Sequence, residues 1–172
     1  RMVLLEGETV KASTLIQPKV EPELAFILKQ DLRGPGVTAA NVISATEAVI
    51  PALEIIDSRI KGWRIKIQDT VADNASSARV ILGGRPLPIH DLDLKHVGLV
   101  FEKNDEIVGT AAGAAVLGNP VYAVTWLANK LSEFGVGMKA GEIVMSGSFV
   151  AALPATSGDK FRATLDRLGS VN

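Results

Sequence analysis

The run Val20-Glu21-Pro22-Glu23-Leu24-Ala25-Phe26-Ile27-Leu28 sets two carboxylates inside an otherwise apolar stretch, and this constrains the chain more than any other feature. Extended backbone sends alternate side chains to opposite faces, so Glu21 and Glu23 share one face. Leu24, Phe26 and Leu28 alternate with Ala25, Ile27 and Lys29, and both sets are largely apolar, the pattern of a strand buried on both sides. Pro22 donates no ladder hydrogen bond, which predicts an edge, a bulge or a strand start there. Two like charges held close in an apolar setting either drive one pKa up or require a cation. Mg²⁺ or Mn²⁺ meets the second demand, because hard cations prefer oxygen ligands. A third acid, Glu54, stands in Pro51-Ala52-Leu53-Glu54-Ile55-Ile56, also among apolar residues. Two readings stand at this point: the three glutamates surround one ion, or one or more of them faces solvent or pairs with Arg or Lys.

Composition narrows the function classes. With 172 residues the chain suits a single domain with a real core, read here as one unit over residues 1–172. Eighteen basic and nineteen acidic residues leave a formal charge of −1, and the aromatic residues are few, so no nucleic-acid surface is expected. The lack of cysteine excludes disulfides, zinc–thiolate sites and a thiol nucleophile, and it fits a cytoplasmic location. No apolar run approaches the ~18 residues that span a bilayer, and no signal peptide is recognisable, so no membrane association is expected. Because the sequence opens at Arg1 and stops abruptly at Val171-Asn172, the expectation is a catalytic domain lacking an N-terminal region and the extreme C-terminus.

The coarse pattern predicts many strands and few helices. Thr38 caps a helix reaching about Val49, with Pro51 ending it and a short strand over 52–57 following. Residues 64–67 and 79–82 read as further strands, the second closed by Gly83-Gly84. Residues 97–102 and 106–108 flank Lys103-Asn104-Asp105 as a hairpin. The clearest helix runs from Pro120 to about Phe134, capped by Asn119 and stopped by Gly135, with Val124, Leu127, Leu131 and Phe134 as its buried stripe. Residues 142–145 and 160–165 are the last strands. The class is α+β, mainly β, with a mixed, rolled or barrel-like sheet.

The block from Asp57 to Ser76 is dense in polar groups. It is either a salt-bridged loop with Asx turns or a wall of the site, in which Lys66 offers a cation and Ser76 and nearby amides offer hydrogen bonds. His90 and His96 read as surface residues, Gly83-Gly84-Arg85 as a turn, and Ser146-Gly147-Ser148 as a tight turn beside the site. The glycines between 109 and 118 match no nucleotide-binding motif.

Several long blocks, in order, resemble the 2-keto-4-pentenoate hydratase family within the fumarylacetoacetate hydrolase superfamily: QPKVEPELAFILKQDLRGPGVT, TEAVIPALEIIDSRIKGWRIKIQDTVADNAS, GAAVLGNP, WLANKLSEFG and KAGEIVMSGS. The resemblance implies a rolled β catalytic domain, a homo-oligomer, and Mg²⁺ or Mn²⁺ held by Glu21, Glu23 and Glu54. It also implies Lys66 and Ser76 as catalytic residues and Asp69, Asp73 and Asn74 on the substrate side. The implied reaction adds water to 2-hydroxypenta-2,4-dienoate, giving 4-hydroxy-2-oxopentanoate, within aromatic-compound catabolism and in possible association with a pathway decarboxylase. Rivals are a 4-oxalocrotonate decarboxylase, a C–C hydrolase of acylpyruvates, and a metal-stabilised scaffold subunit. Family members carry a lysine-bearing N-terminal region that has no counterpart in these residues.

Overall fold

The long run of the first paragraph becomes the longest seam of the molecule. In the computed structural model, which describes residues 2–172, β2 (Lys19–Leu28) pairs antiparallel with β3 (Thr46–Ile56) along its whole length. Between them lies the short helix α1 (Ala39–Ala45), entered through a capping box in which Thr38 and Asn41 satisfy each other's backbone N–H groups. Beyond β3 come β4 (Ser77–Leu82) and then β1 (Val3–Leu5), which runs parallel to β4. On the far side of β2 lie β7 (Ile143–Met145) and β8 (Leu153–Pro154). This first sheet is therefore mixed. A second, antiparallel sheet has the order β10-β9-β5-β6, built from β5 (Gly98–Lys103), β6 (Glu106–Ala112), β9 (Phe161–Leu165) and β10 (Gly169–Val171). The remaining helices are α2 (Ile67–Ala72) and α3 (Pro120–Ser132).

The core lies between the sheets. Leu24, Phe26, Leu28, Val49 and Leu53 on one face of the seam join Leu99, Phe101, Leu165 and Val171 from the second sheet. The two layers come together closely at the end of β4: a Cβ at Gly83 would sit 2.7 Å from that of Val171, so only glycine fits. The hairpin between β5 and β6 turns through Asn104 and Asp105, both with positive φ (54° and 66°), the two-residue primed geometry that suits strand twist.

Several expectations change here. The helix after Thr38 stops at Ala45 rather than near Val49, and β3 starts at once, so Pro51 sits inside a strand. Residues 64–67 do not form a strand; Ile67 opens α2. Pro22 lies mid-strand, not at an edge. Both prolines are tolerated for one reason: the Pro22 carbonyl accepts from Phe149 N and the Pro51 carbonyl from Gly83 N. Both backbones therefore point away from the β2–β3 seam at these positions, and no seam bond needs their missing N–H groups. On its other side β2 is covered by β8 and β7 in turn, and Pro22 faces the gap between them. Helix α3 has its cap and its N1 proline as expected. Its buried face is Val121, Val124 and Ala128, whereas Phe134 is 73% exposed because the helix has already ended at Ser132. The strands at 142–145 and 160–165 belong to different sheets.

Candidate metal centre

Register decides the site. Glu21 lies directly opposite Glu54 across the β2–β3 seam, and Glu23 follows two residues along the same face. One carboxylate oxygen from each of the three lies within 4.8 Å of the others. The opposite face of the same ladder carries Val20, Leu24, Phe26, Leu53 and Ile55, which are buried in the core. Glu23 is 2% exposed, and its Oε2 accepts a 2.7 Å hydrogen bond from Gly147 N–H.

These carboxyls are not ordinary. Burial raises the Glu21 pKa to about 7, Glu54 adds to the rise, and the Lys19 ammonium opposes it. Burial also pushes Glu23 well above the carboxylate range, helped by the charges of Glu54 and Glu21 and by a shared hydrogen bond with Glu54, against the pull of the Gly147 amide. Three acids that cannot all ionise unaided form a donor set of oxygens only, which fits a hard divalent cation.

Gly147 is a participant that the sequence reading left as part of a turn. It follows β7 with φ of +89°, a conformation that glycine adopts freely, and this aims its N–H at Glu23. Beside it, Ser146 holds Leu24 at both backbone groups: its Oγ accepts from Leu24 N and its N–H donates to Leu24 O. Lys19 is a second such residue. It shares the triad's face of β2 by the two-residue period, and its Nζ lies 4.4 Å from the centroid of the Trp63 ring. Only a signal of charge and period, Lys19 two before Glu21, marked it in sequence.

The polar block forms a strap from Asp57 to Ser76. Asp57 clamps its start, accepting from Ile16 N and Gln17 N. Gln17 reaches Ser58 O, Ile60 O and Gly62 N, and Trp63 Nε1 donates to Gln17 O. The residues named for chemistry on this strap are not drawn together like the glutamates. Lys66 is exposed. Asp69 is occupied in capping α2 through Lys66 N. Asp73 pairs with Arg59, and Asn74 is exposed. Ser76 is 2% exposed, with its Oγ lacking a hydrogen-bond partner. A cavity of about 680 Å³ opens on the other side of the sheet over Val20, Leu53, Ile55 and Ile81 and does not include the triad. His90 is exposed, and His96 is an exposed partner of Asp93.

No protein-family profile matches the chain. The fold, a mixed sheet packed against an antiparallel one, is of the fumarylacetoacetate hydrolase type: the enzyme of that name from Exiguobacterium antarcticum, 13% identical, superposes with a TM-score of 0.72 over 98% of this chain and 61% of its own. Sequence narrows the class further. The 2-hydroxypent-2,4-dienoate hydratase of Pseudomonas putida is 54% identical over 78% of this chain and 61% of its own length. The solved 4-oxalocrotonate decarboxylase of Pseudomonas putida G7, complexed with magnesium and adipate, is 44% identical, with a TM-score of 0.96 over 99% of this chain and 65% of its own. The chain is similar along nearly all of its residues to proteins named 2-keto-4-pentenoate hydratase. It spans 61–65% of the length of the curated relatives it matches. Among the described residues no helix is long and apolar enough to cross a membrane.

Proposed function

We propose that this chain carries the metal-binding part of a cytoplasmic hydratase that adds water to 2-hydroxypenta-2,4-dienoate and yields 4-hydroxy-2-oxopentanoate. The observation that carries this reading is the meeting of Glu21, Glu23 and Glu54 within 4.8 Å on one sheet face. The 54% identity to a hydratase of that substrate directs it to a five-carbon dienol.

The fit to Mg²⁺ or Mn²⁺ rests on the donor set itself: three acid oxygens, with the ionised forms of Glu21 and Glu23 opposed by burial and by neighbouring carboxylates. When bound, a divalent cation supplies Lewis-acid stabilisation of negative charge on the substrate's 2-oxygen. The chain's own residues do the rest. Gly147 N–H fixes the orientation of the Glu23 carboxylate, and the β2–β3 register fixes the spacing of Glu21 and Glu54. The Ser76 hydroxyl, buried and without a partner, is a hydrogen-bond donor in reserve for substrate. Lys66 is assigned as a proton carrier and Asp69, Asp73 and Asn74 as the substrate-side wall. Asp69 and Asp73 would act there by holding the strap's shape. Hydration needs one proton delivered to carbon in tautomerisation and another as hydroxide adds. The active species is proposed as a homo-oligomer that associates with the pathway's decarboxylase.

A second reading has its own support. The decarboxylase of Pseudomonas putida G7 superposes at a TM-score of 0.96, so loss of CO₂ from 2-oxohex-3-enedioate is the rival reaction. The deciding experiment supplies purified protein and Mg²⁺ with each substrate. Loss of the dienol absorbance without CO₂ supports the hydratase, CO₂ release supports the decarboxylase, and full turnover in EDTA rejects both.

A further inference from the structure

The seam that carries the triad also carries a cation. Lys19 is on the triad's face of β2, two residues before Glu21, and is half-buried. Its Nζ stacks on Trp63 at 4.4 Å, and among the described residues it forms no ion pair with any carboxylate. A π-face attracts an ammonium without consuming its three N–H donors, so those donors remain for another acceptor.

The ring itself is not free to wander. Trp63 Nε1 donates 2.9 Å to Gln17 O, two residues from Lys19 on the same chain. Gln17 in turn takes Gly62 N on its Oε1 and gives its amide to Ser58 O and Ile60 O. Trp63 has φ of +56°, a left-handed conformation unfavourable for a large side chain. The strap thus bends into a costly shape at the residue that holds the ammonium in place.

Charge bookkeeping says what the ammonium is for. Three carboxylates around one divalent ion leave a net charge of −1, and a 2-oxo acid arriving as an anion makes it −2. A site with one carboxylate buried and two half-buried tolerates that poorly without a further cation. Lys19 stands on the same face of the seam two residues before Glu21, with its ammonium held on Trp63, and so is placed to supply that cation.

Resting on the metal-dependent reading above, we propose that Lys19 is a substrate-binding residue that docks the carboxylate of the 2-oxo acid, and that Trp63 is the positioning residue that holds its ammonium beside the triad. Lysine, and not the metal alone, then selects for anionic substrates.

The test uses Mn²⁺ and oxalate, a non-reacting two-oxygen anion, by titration calorimetry on the wild-type protein and on Lys19→Met, Lys19→Arg and Trp63→Leu. The two ligands should respond in opposite senses. Lys19→Met keeps the apolar stem, so Mn²⁺ binding alone stays equal or tightens a few-fold as a nearby positive charge is lost. Oxalate binding to the Mn²⁺-loaded protein weakens by about tenfold, the loss of one charge-assisted hydrogen bond. Lys19→Arg keeps most of the oxalate affinity, and Trp63→Leu loses less than Lys19→Met, again without losing Mn²⁺. Unchanged oxalate affinity in Lys19→Met overturns the proposal, and so does a parallel fall of both affinities, which marks a merely structural lysine. Failure of the wild type to bind Mn²⁺ is a separate result that removes the metal reading itself.

Discussion

The β2–β3 ladder and the Asp57–Ser76 strap both carry candidate site residues, and they are built in opposite ways. On the ladder, ten residue pairs in antiparallel register and a core packed against the reverse face hold Glu21, Glu23 and Glu54 where their charges conflict. On the strap, short helical turns are linked by local hydrogen bonds, Ile67 and Val71 are exposed at 69% and 72%, and Asn74, Ala75 and Ser76 stand in succession at positive φ. Bringing like charges together requires a scaffold stiff enough to hold them, which a buried sheet supplies. Residues that meet a substrate can sit on a segment of lower local stability.

The comparison breaks most readily at Phe26. Phe26→Ala removes a fully buried ring from the reverse side of the ladder and is expected to cost about 3–5 kcal/mol, with Mn²⁺ affinity falling as well. Chemical denaturation with metal titration measures both. If affinity survives, the ladder is not what spaces the glutamates.

Next in size is Glu23→Gln. Metal affinity falls by at least about 100-fold, the upper end of what losing an outer-shell partner of a ligand costs. In EDTA at pH 8 the melting temperature rises, because a neutral amide replaces a buried carboxylate. A fall in melting temperature would mean that Glu23 stabilises the fold and is not held against its preference.

The acids also predict a pH dependence. Glu21, raised to about 7, holds its proton more tightly in the folded chain than in the unfolded one. Its contribution to metal-free stability is therefore fully present below about 4.5 and is lost as pH rises through about 7. Glu23 acts in the same direction. Melting scans in EDTA at pH 5 and pH 8 should show the higher pH to be less stable, and saturating Mg²⁺ should abolish most of that difference.

The smallest effect belongs to the strap. Ala75 has φ of +56°, so Ala75→Gly relieves a left-handed residue and stabilises by about 0.5–1 kcal/mol, leaving Mn²⁺ affinity unchanged. A change in metal affinity would tie the strap to the ladder more tightly than their contacts suggest.

Much of this was legible before any coordinates. The alternation in Val20–Leu28 placed Glu21 and Glu23 on one face, Thr38 and Asn119 announced their helices, and Lys103-Asn104-Asp105 announced its hairpin. Local sequence was weakest where a tertiary partner overrode it. Pro51 reads as a helix stop and a strand boundary, yet β3 runs through it because its backbone faces Gly83 across the end of β4. Residues 64–67 alternate like a strand, but among the described residues they pair with none, and Ile67 opens α2 instead. The part of Gly147 in the site depended on a backbone N–H, which no residue type reveals.

What the sequence determined by itself was the chemistry available: oxygen ligands and no thiolate, an extended apolar run interrupted by acids, and caps and turns at defined places, because each follows from residue type and period. Only the tertiary structure decided that Glu54 lies opposite Glu21, that Gly147 reaches Glu23, and that Trp63 covers Lys19. Those are meetings between segments far apart in the chain, and their register is set by packing of whole faces, not by any residue's own preference.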